Sequence, residues 1–148
     1  MDYKELQHQL NYKFKNIELL ELALTHKSYS NSNNNERLEY LGDSILNSAI
    51  SQYLFKRFTN EKEGLLTRMR AYLVKAETLT MKAEELDLID CIQLSRGTAN
   101  LSRERKNSIL EDSFEATIGA IFLDSGWDQV NMIVLGIFNN ELKHLSAD

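Results

Sequence analysis

The chain contains no proline, only six glycines, one cysteine and three histidines among 148 residues. Each scarcity excludes something. Without proline, and with glycine rare, long stretches of Leu, Ala, Glu, Lys, Ile and Met can run as uninterrupted helices. A lone cysteine, Cys91, rules out an internal disulfide and a thiolate metal cluster. No arrangement of His and Asp near it suggests a nucleophile, so it reads as a buried thiol in a reducing compartment. No apolar run approaches the length needed to span a bilayer, and the start, MDYKELQHQL, lacks the basic-then-apolar layout of a secretory signal. The expectation is a soluble, cytoplasmic protein with no membrane partner. With 43% hydrophobic residues the chain can build one core and is too short for two ordinary domains. The expected architecture is a single all-α domain over residues 1–148.

Apolar spacing predicts helices over about 2–10, 16–25 and 36–57, a further one from Glu63 to about Leu86, then about 107–124 and 128–145. No segment alternates as a strand. Loops are expected at HKSYSNSNNN, where Asn35 or a neighbour caps the next helix, and at QLSRGTAN and SGW.

The acidic residues are placed unusually. At about 100° per residue, Glu36, Glu39 and Asp43 fall within roughly 60° of one another on the third helix, as do Asp112 and Glu115 on a later one. Along the same stripes come Leu46, Ile50 and Leu54 on the first of these helices, and Gly119, Phe122 and Leu123 on the second. The opposite faces are apolar as well, with Leu38, Leu41, Ile45 and Ala49 on one helix and Leu110, Phe114, Ile118 and Ile121 on the other. A helix apolar all round is a central helix. Two central helices therefore carry acids at the rim of the core, where desolvation and mutual repulsion penalise ionisation. Oxygen ligands without a nearby histidine suit Mg²⁺ or Mn²⁺ rather than zinc. Four carboxylates from two helices can hold a pair of ions about 3.5–4 Å apart, an arrangement that serves phosphodiester hydrolysis. On spacing alone, a metal site and a structural cluster of acids both remain open.

NERLEYLGDSIL (residues 35–46) closely resembles the signature of the ribonuclease III endonuclease domain, and ILEDSFEATIGAIFLDSG (109–126) resembles that family's second acidic motif. LALTHKSYSN (22–31) and EGLLTRMRAYLV (63–74) resemble further blocks, in the right order, so the likeness covers nearly the whole chain. It implies that Glu39, Asp43, Asp112 and Glu115 are metal ligands, with Asp43 and Glu115 in catalytic roles and Glu39 and Glu115 bridging to a second ion. Glu36 and Glu63 match two further acids that support the cleft. The implied activity is Mg²⁺-dependent hydrolysis of double-stranded RNA, with Mn²⁺ as a substitute. It leaves 5′-phosphate and 3′-hydroxyl ends with short 3′ overhangs, and bacterial relatives process ribosomal and messenger RNA precursors. Water is the attacking group, so no protein nucleophile is required. The resemblance also implies a homodimer in which Tyr40, where phenylalanine is commoner, packs into a socket on the partner.

The formal net charge of −5 argues weakly against nucleic acid, but setting aside the six cleft acids turns it to +1. Lys27, Arg96, Arg103, Arg105 and Lys106 are candidate phosphate contacts, although most basic runs are simply solvated. The segment TANLSRERKNSIL lacks a glycine pair common in the family, which weakens the assignment for that loop. No C-terminal double-stranded-RNA-binding domain fits within 148 residues, from which weak substrate affinity is expected. ELKH, Glu141 to His144, reads as a terminal surface helix, His26 as a hydrogen-bonded structural residue, and Trp127 as packing a turn. Gly42 admits either a substrate or a neighbouring helix. Two other readings stand beside this one: an all-α nucleotide pyrophosphohydrolase, and a non-cleaving RNA-binding relative, which would be expected to have lost ligands.

Overall fold

The computed structural model describes residues 3–98 and 101–147. Among the described residues eight α-helices follow one another: α1 Lys4–Leu10, α2 Ile17–Ala23, α3 Glu36–Arg57, α4 Glu63–Leu73, α5 Ala76–Glu85, α6 Arg103–Ser125, α7 Trp127–Ile137 and α8 Asn139–Lys143. Among the described residues no strand forms, and one isolated parallel bridge joins Thr25 to Gln93. The all-α expectation holds.

α3 and α6 share the most extensive helix–helix interface and are the centre of the fold. α6 shows why. Every residue from 113 to 121 is buried, which is possible only when neighbours cover the helix on all sides. α2, α5 and α7 supply that cover. The stripe beyond the acids leaves the core sooner on α6 than expected, since Leu123 is exposed and Phe122 only half-buried.

Two expected helices are each divided. The stretch from Glu63 to Leu86 breaks after Leu73, with Lys75 in an extended conformation. On one continuous helix Leu73 and Leu79 would lie about 120° apart, and Leu73 and Leu86 about 140° apart. All three are buried here, and the break lets the two halves turn them into the core without cover on every side of one helix. The last helix divides at Phe138, a fully buried ring packed edge-on against Phe114 with centroids 6.3 Å apart. α6 starts four residues earlier than expected because Ser102 caps it, its side chain accepting from the Arg105 amide.

The ELKH segment is not merely a surface feature. Glu141 is half-buried and pairs at 2.7 Å with Lys82, itself only 3% exposed, whose ammonium also lies over the Phe138 ring. A lysine this deep is tolerated because both a carboxylate and a π face compensate its desolvation. Arg57 sits between the Tyr53 and Phe58 rings and donates to the carbonyls of Leu142 and Leu145, holding the end of α8 against the end of α3. At the other end of the molecule, Asp124 accepts from the Tyr12 hydroxyl and the amides of Lys15 and Asn16, which ties the α1–α2 loop to α6. Trp127 packs against the core, as expected.

A candidate metal centre between the central helices

The acids are brought together by two glycines. A Cβ added to Gly42 on α3 would stand 1.6 Å from the carbonyl oxygen of Glu115, and one added to Gly119 on α6 would stand 2.4 Å from that of Leu38. The helices therefore cross backbone to backbone, which no other residue permits. Gly42 serves helix packing, and the contact also sets the site: Glu39 and Asp43 flank Gly42, and Glu115 lies one turn before Gly119.

Glu39, Asp112 and Glu115 each offer a carboxylate oxygen, and these atoms lie within 4.8 Å of one another. Asp43 joins them by accepting a hydrogen bond from the protonated Glu115 carboxyl. Glu36, Glu39, Tyr40, Asp43, Ser44 and Glu115 line an open groove of about 370 Å³. Glu115 is 6% exposed, so burial and then the neighbouring Asp43 push its pKa up to about 9. Burial and Asp112 raise Glu39 to about 7, and burial raises Asp112 as well, the two sharing a hydrogen bond. Such a set of oxygen donors, two of them holding protons near neutrality, fits a divalent cation that would displace those protons.

The remaining expected residues are placed unevenly. Glu36 is exposed at the groove's edge, where its charge helps to raise Glu39 and Asp112. Glu63 is exposed in the first turn of α4 and is not among the residues lining the groove. Tyr40 is 80% exposed at the groove's mouth. Lys27 and Arg105 are exposed and both act on buried His26, while Lys27 also acts on Asp112, which puts Lys27 at the Asp112 side of the site. Arg103 and Lys106 are exposed in the first turn of α6, and Arg96 is exposed in the short turn Arg96–Thr98. Ala99 and Asn100 of the expected loop lie outside the described residues.

His26 is structural. Its Nδ1 accepts from the Ser28 amide at 3.0 Å and lies 2.8 Å from the Ser28 hydroxyl, and burial lowers its pKa. Cys91 is half-buried with a thiol pushed up by burial. One acid escapes the motif reading. Glu111 is half-buried and raised by burial and then by Asp112, and its charge acts on both Glu39 and Glu115. A signal for it exists in the spacing: Glu111 and Glu115 are four residues apart and share a side of α6.

Fold and site together define an all-helical domain with a carboxylate centre suited to a divalent metal. The Ribonuclease-III-like family model matches residues 16–142. Curated relatives named Ribonuclease 3 include that of Azotobacter vinelandii, 49% identical over 95% of this chain and 61% of its own, and that of Sulfurovum sp., 41% identical over 99% and 68%. The chain thus spans about three fifths to two thirds of their lengths. Among solved structures, the nuclease domain of ribonuclease III from Campylobacter jejuni superposes with a TM-score of 0.90 at 40% identity, covering 95% of this chain and 99% of that one. That structure is described as flexible in a region involved in dimer formation. Dicer from Pichia stipitis aligns with a TM-score of 0.71 at 29% identity, over 88% of this chain and 58% of its own. The chain belongs to the ribonuclease-III-like family.

Proposed function

We propose that this domain is the catalytic part of a Mg²⁺-dependent endoribonuclease acting on double-stranded RNA, cutting to 5′-phosphate and 3′-hydroxyl ends with short 3′ overhangs. The observation that carries the reading is the meeting of Glu39, Asp112 and Glu115 within 4.8 Å, with Asp43 bonded to Glu115, on the two helices that carry the family's acidic motifs. Glu39, Asp43, Asp112 and Glu115 would hold up to two ions, with Mn²⁺ able to replace Mg²⁺. When bound, the ions neutralise phosphate charge, activate water and stabilise the leaving oxygen. Glu115 and Glu39 give up their protons as the site loads. Glu36 stands at the edge, where it orders the approach without direct ligation.

A second copy of the chain fits this reading. Tyr40 is 80% exposed beside the site, where a homodimer would cover it. Two sites facing one valley cut the two strands of an A-form duplex with a stagger. Lys27, Arg96, Arg103, Arg105 and Lys106 are then the residues that meet phosphates along the valley's edge.

The test is cleavage of an end-labelled perfect RNA duplex with Mg²⁺ at low salt, the parent beside Glu115→Gln. Staggered products from the parent alone support the reading; equal cleavage by both, or none by a folded parent dimer, removes it. Neutralising Arg103, Arg105 and Lys106 together is expected to shallow the slope of log affinity against log salt by up to about three, near one for each phosphate that is no longer neutralised. An unchanged slope takes all three out of the interface.

A further inference from the structure

We infer that Asn35 is a positioning residue for the metal centre, holding Glu39 of α3 in register with Asp112 of α6. The inference rests on the metal-site reading above. Asn35 precedes α3, where a capping role is the first expectation, yet its side chain makes no cap hydrogen bond. Asn34 does that work instead, its Oδ1 accepting from the Glu36 amide at 3.1 Å. The Asn35 side chain is thereby released to reach across the fold. It is 3% exposed, and its Nδ2 donates to the Ala23 carbonyl oxygen at 3.0 Å and to the Ser113 hydroxyl at 3.4 Å.

Both acceptors are informative. Ala23 is the last residue of α2, whose terminal carbonyls have no partner within the helix. Ser113 is fully buried on α6 and adjacent in sequence to Asp112. The backbone of Asn35 closes the junction: its amide donates to the Thr25 carbonyl at 2.9 Å, and its carbonyl accepts from the amide of Glu39, also at 2.9 Å. One residue thus joins the end of α2, the turn that carries Glu39, and the turn that carries Asp112. These are the two acids that share a hydrogen bond from α3 to α6. An amide suits the position because it supplies two N–H donors from a single nitrogen without charge. Aspartate has the same shape but no donors, and it would add a carboxylate behind the cluster.

The test is calorimetric titration of the RNA-free protein with Mn²⁺, at a temperature where every variant is folded by circular dichroism. Asn35→Ala is expected to weaken Mn²⁺ binding by about tenfold or more, the range typical of partners that orient metal ligands. Ser113→Ala keeps the tie to Ala23 and is expected to weaken it by a smaller factor. Ile133→Ala, a buried change on α7 remote from the acids, is the control for general destabilisation and is expected to leave affinity unchanged. Parental affinity in Ser113→Ala and Asn35→Ala, or an equal loss in Ile133→Ala, overturns the positioning role. Absence of saturable binding by the parent itself overturns the metal reading and this inference with it. If Asn35→Ala does not fold, Ser113→Ala against Ile133→Ala decides.

Discussion

Gly42→Ala is expected to abolish the native pairing of α3 and α6, and with it both the cooperative melt and metal binding. The new Cβ would lie 1.6 Å from the Glu115 carbonyl oxygen, 2.6 Å from its carbonyl carbon and 3.0 Å from the Gly119 nitrogen. All three are backbone atoms, so no rotamer change gives relief, and two central helices must separate by more than an ångström. Overpacking in cores costs about 1–3 kcal/mol where side chains can yield. Here none can, and the loss should exceed that range, a large part of the total for a domain this size. Gly119→Ala should act in the same direction, since its Cβ would meet the Leu38 carbonyl oxygen at 2.4 Å. Gly136→Ala is the contrast. It lies in α7 with nothing within 4 Å of its Cβ and should gain up to about 1 kcal/mol from helix propensity. Thermal melts of the three variants, with Mn²⁺ titration of any that fold, check the set. A Gly42→Ala protein that melts and binds like the parent would mean the helices do not cross at this distance.

Much of this was legible in the sequence, and the exceptions share a cause. α3 has the expected bounds, Glu36 to Arg57, because its acidic start, apolar interior and basic end agree with one another. The grouping of Glu39, Asp112 and Glu115 followed from helical spacing and from two motifs on one family pattern. The break after Leu73 was not legible, since neither proline nor glycine marks it and only the direction of burial, a tertiary property, requires it. The burial of Lys82 was not legible either, because Glu141 and Phe138 reach it from a segment nearly 60 residues further along the chain. The capping Asn could not be chosen from NSNNN by composition, and the choice of Asn34 is what frees Asn35. Glu63 and Tyr40 are exposed on this chain, so the packing of one copy gives no physical reason for either.

Without divalent metal, the protein is expected to lose stability as pH rises from about 5 to about 9, and Glu115→Gln is expected to melt higher than the parent at pH 8. Glu115 has an ordinary value of 4.5, and burial followed by Asp43 pushes it to about 9 in the folded chain, while Glu39 reaches about 7. Between these limits the folded state keeps protons that the unfolded state has released. Raising pH therefore favours unfolding, by at most about 1.4 kcal/mol per pH unit for each group. Glu39 adds to the slope up to about pH 7, and Glu115 carries it on toward pH 9. Glutamine keeps the shape and removes the proton equilibrium, so the two melting curves should nearly converge at pH 5 and diverge upward. Saturating Mg²⁺ reverses the trend in the parent, because its ligands must be deprotonated and the stabilisation grows with the ratio of free ion to dissociation constant. In Glu115→Gln the same addition should have little effect. Melting temperatures of both proteins from pH 5 to 9, with chelator and with Mg²⁺, make the comparison. A flat metal-free profile in the parent, or parallel profiles in the two proteins, would show that the buried carboxylates do not carry the electrostatic strain that binding relieves.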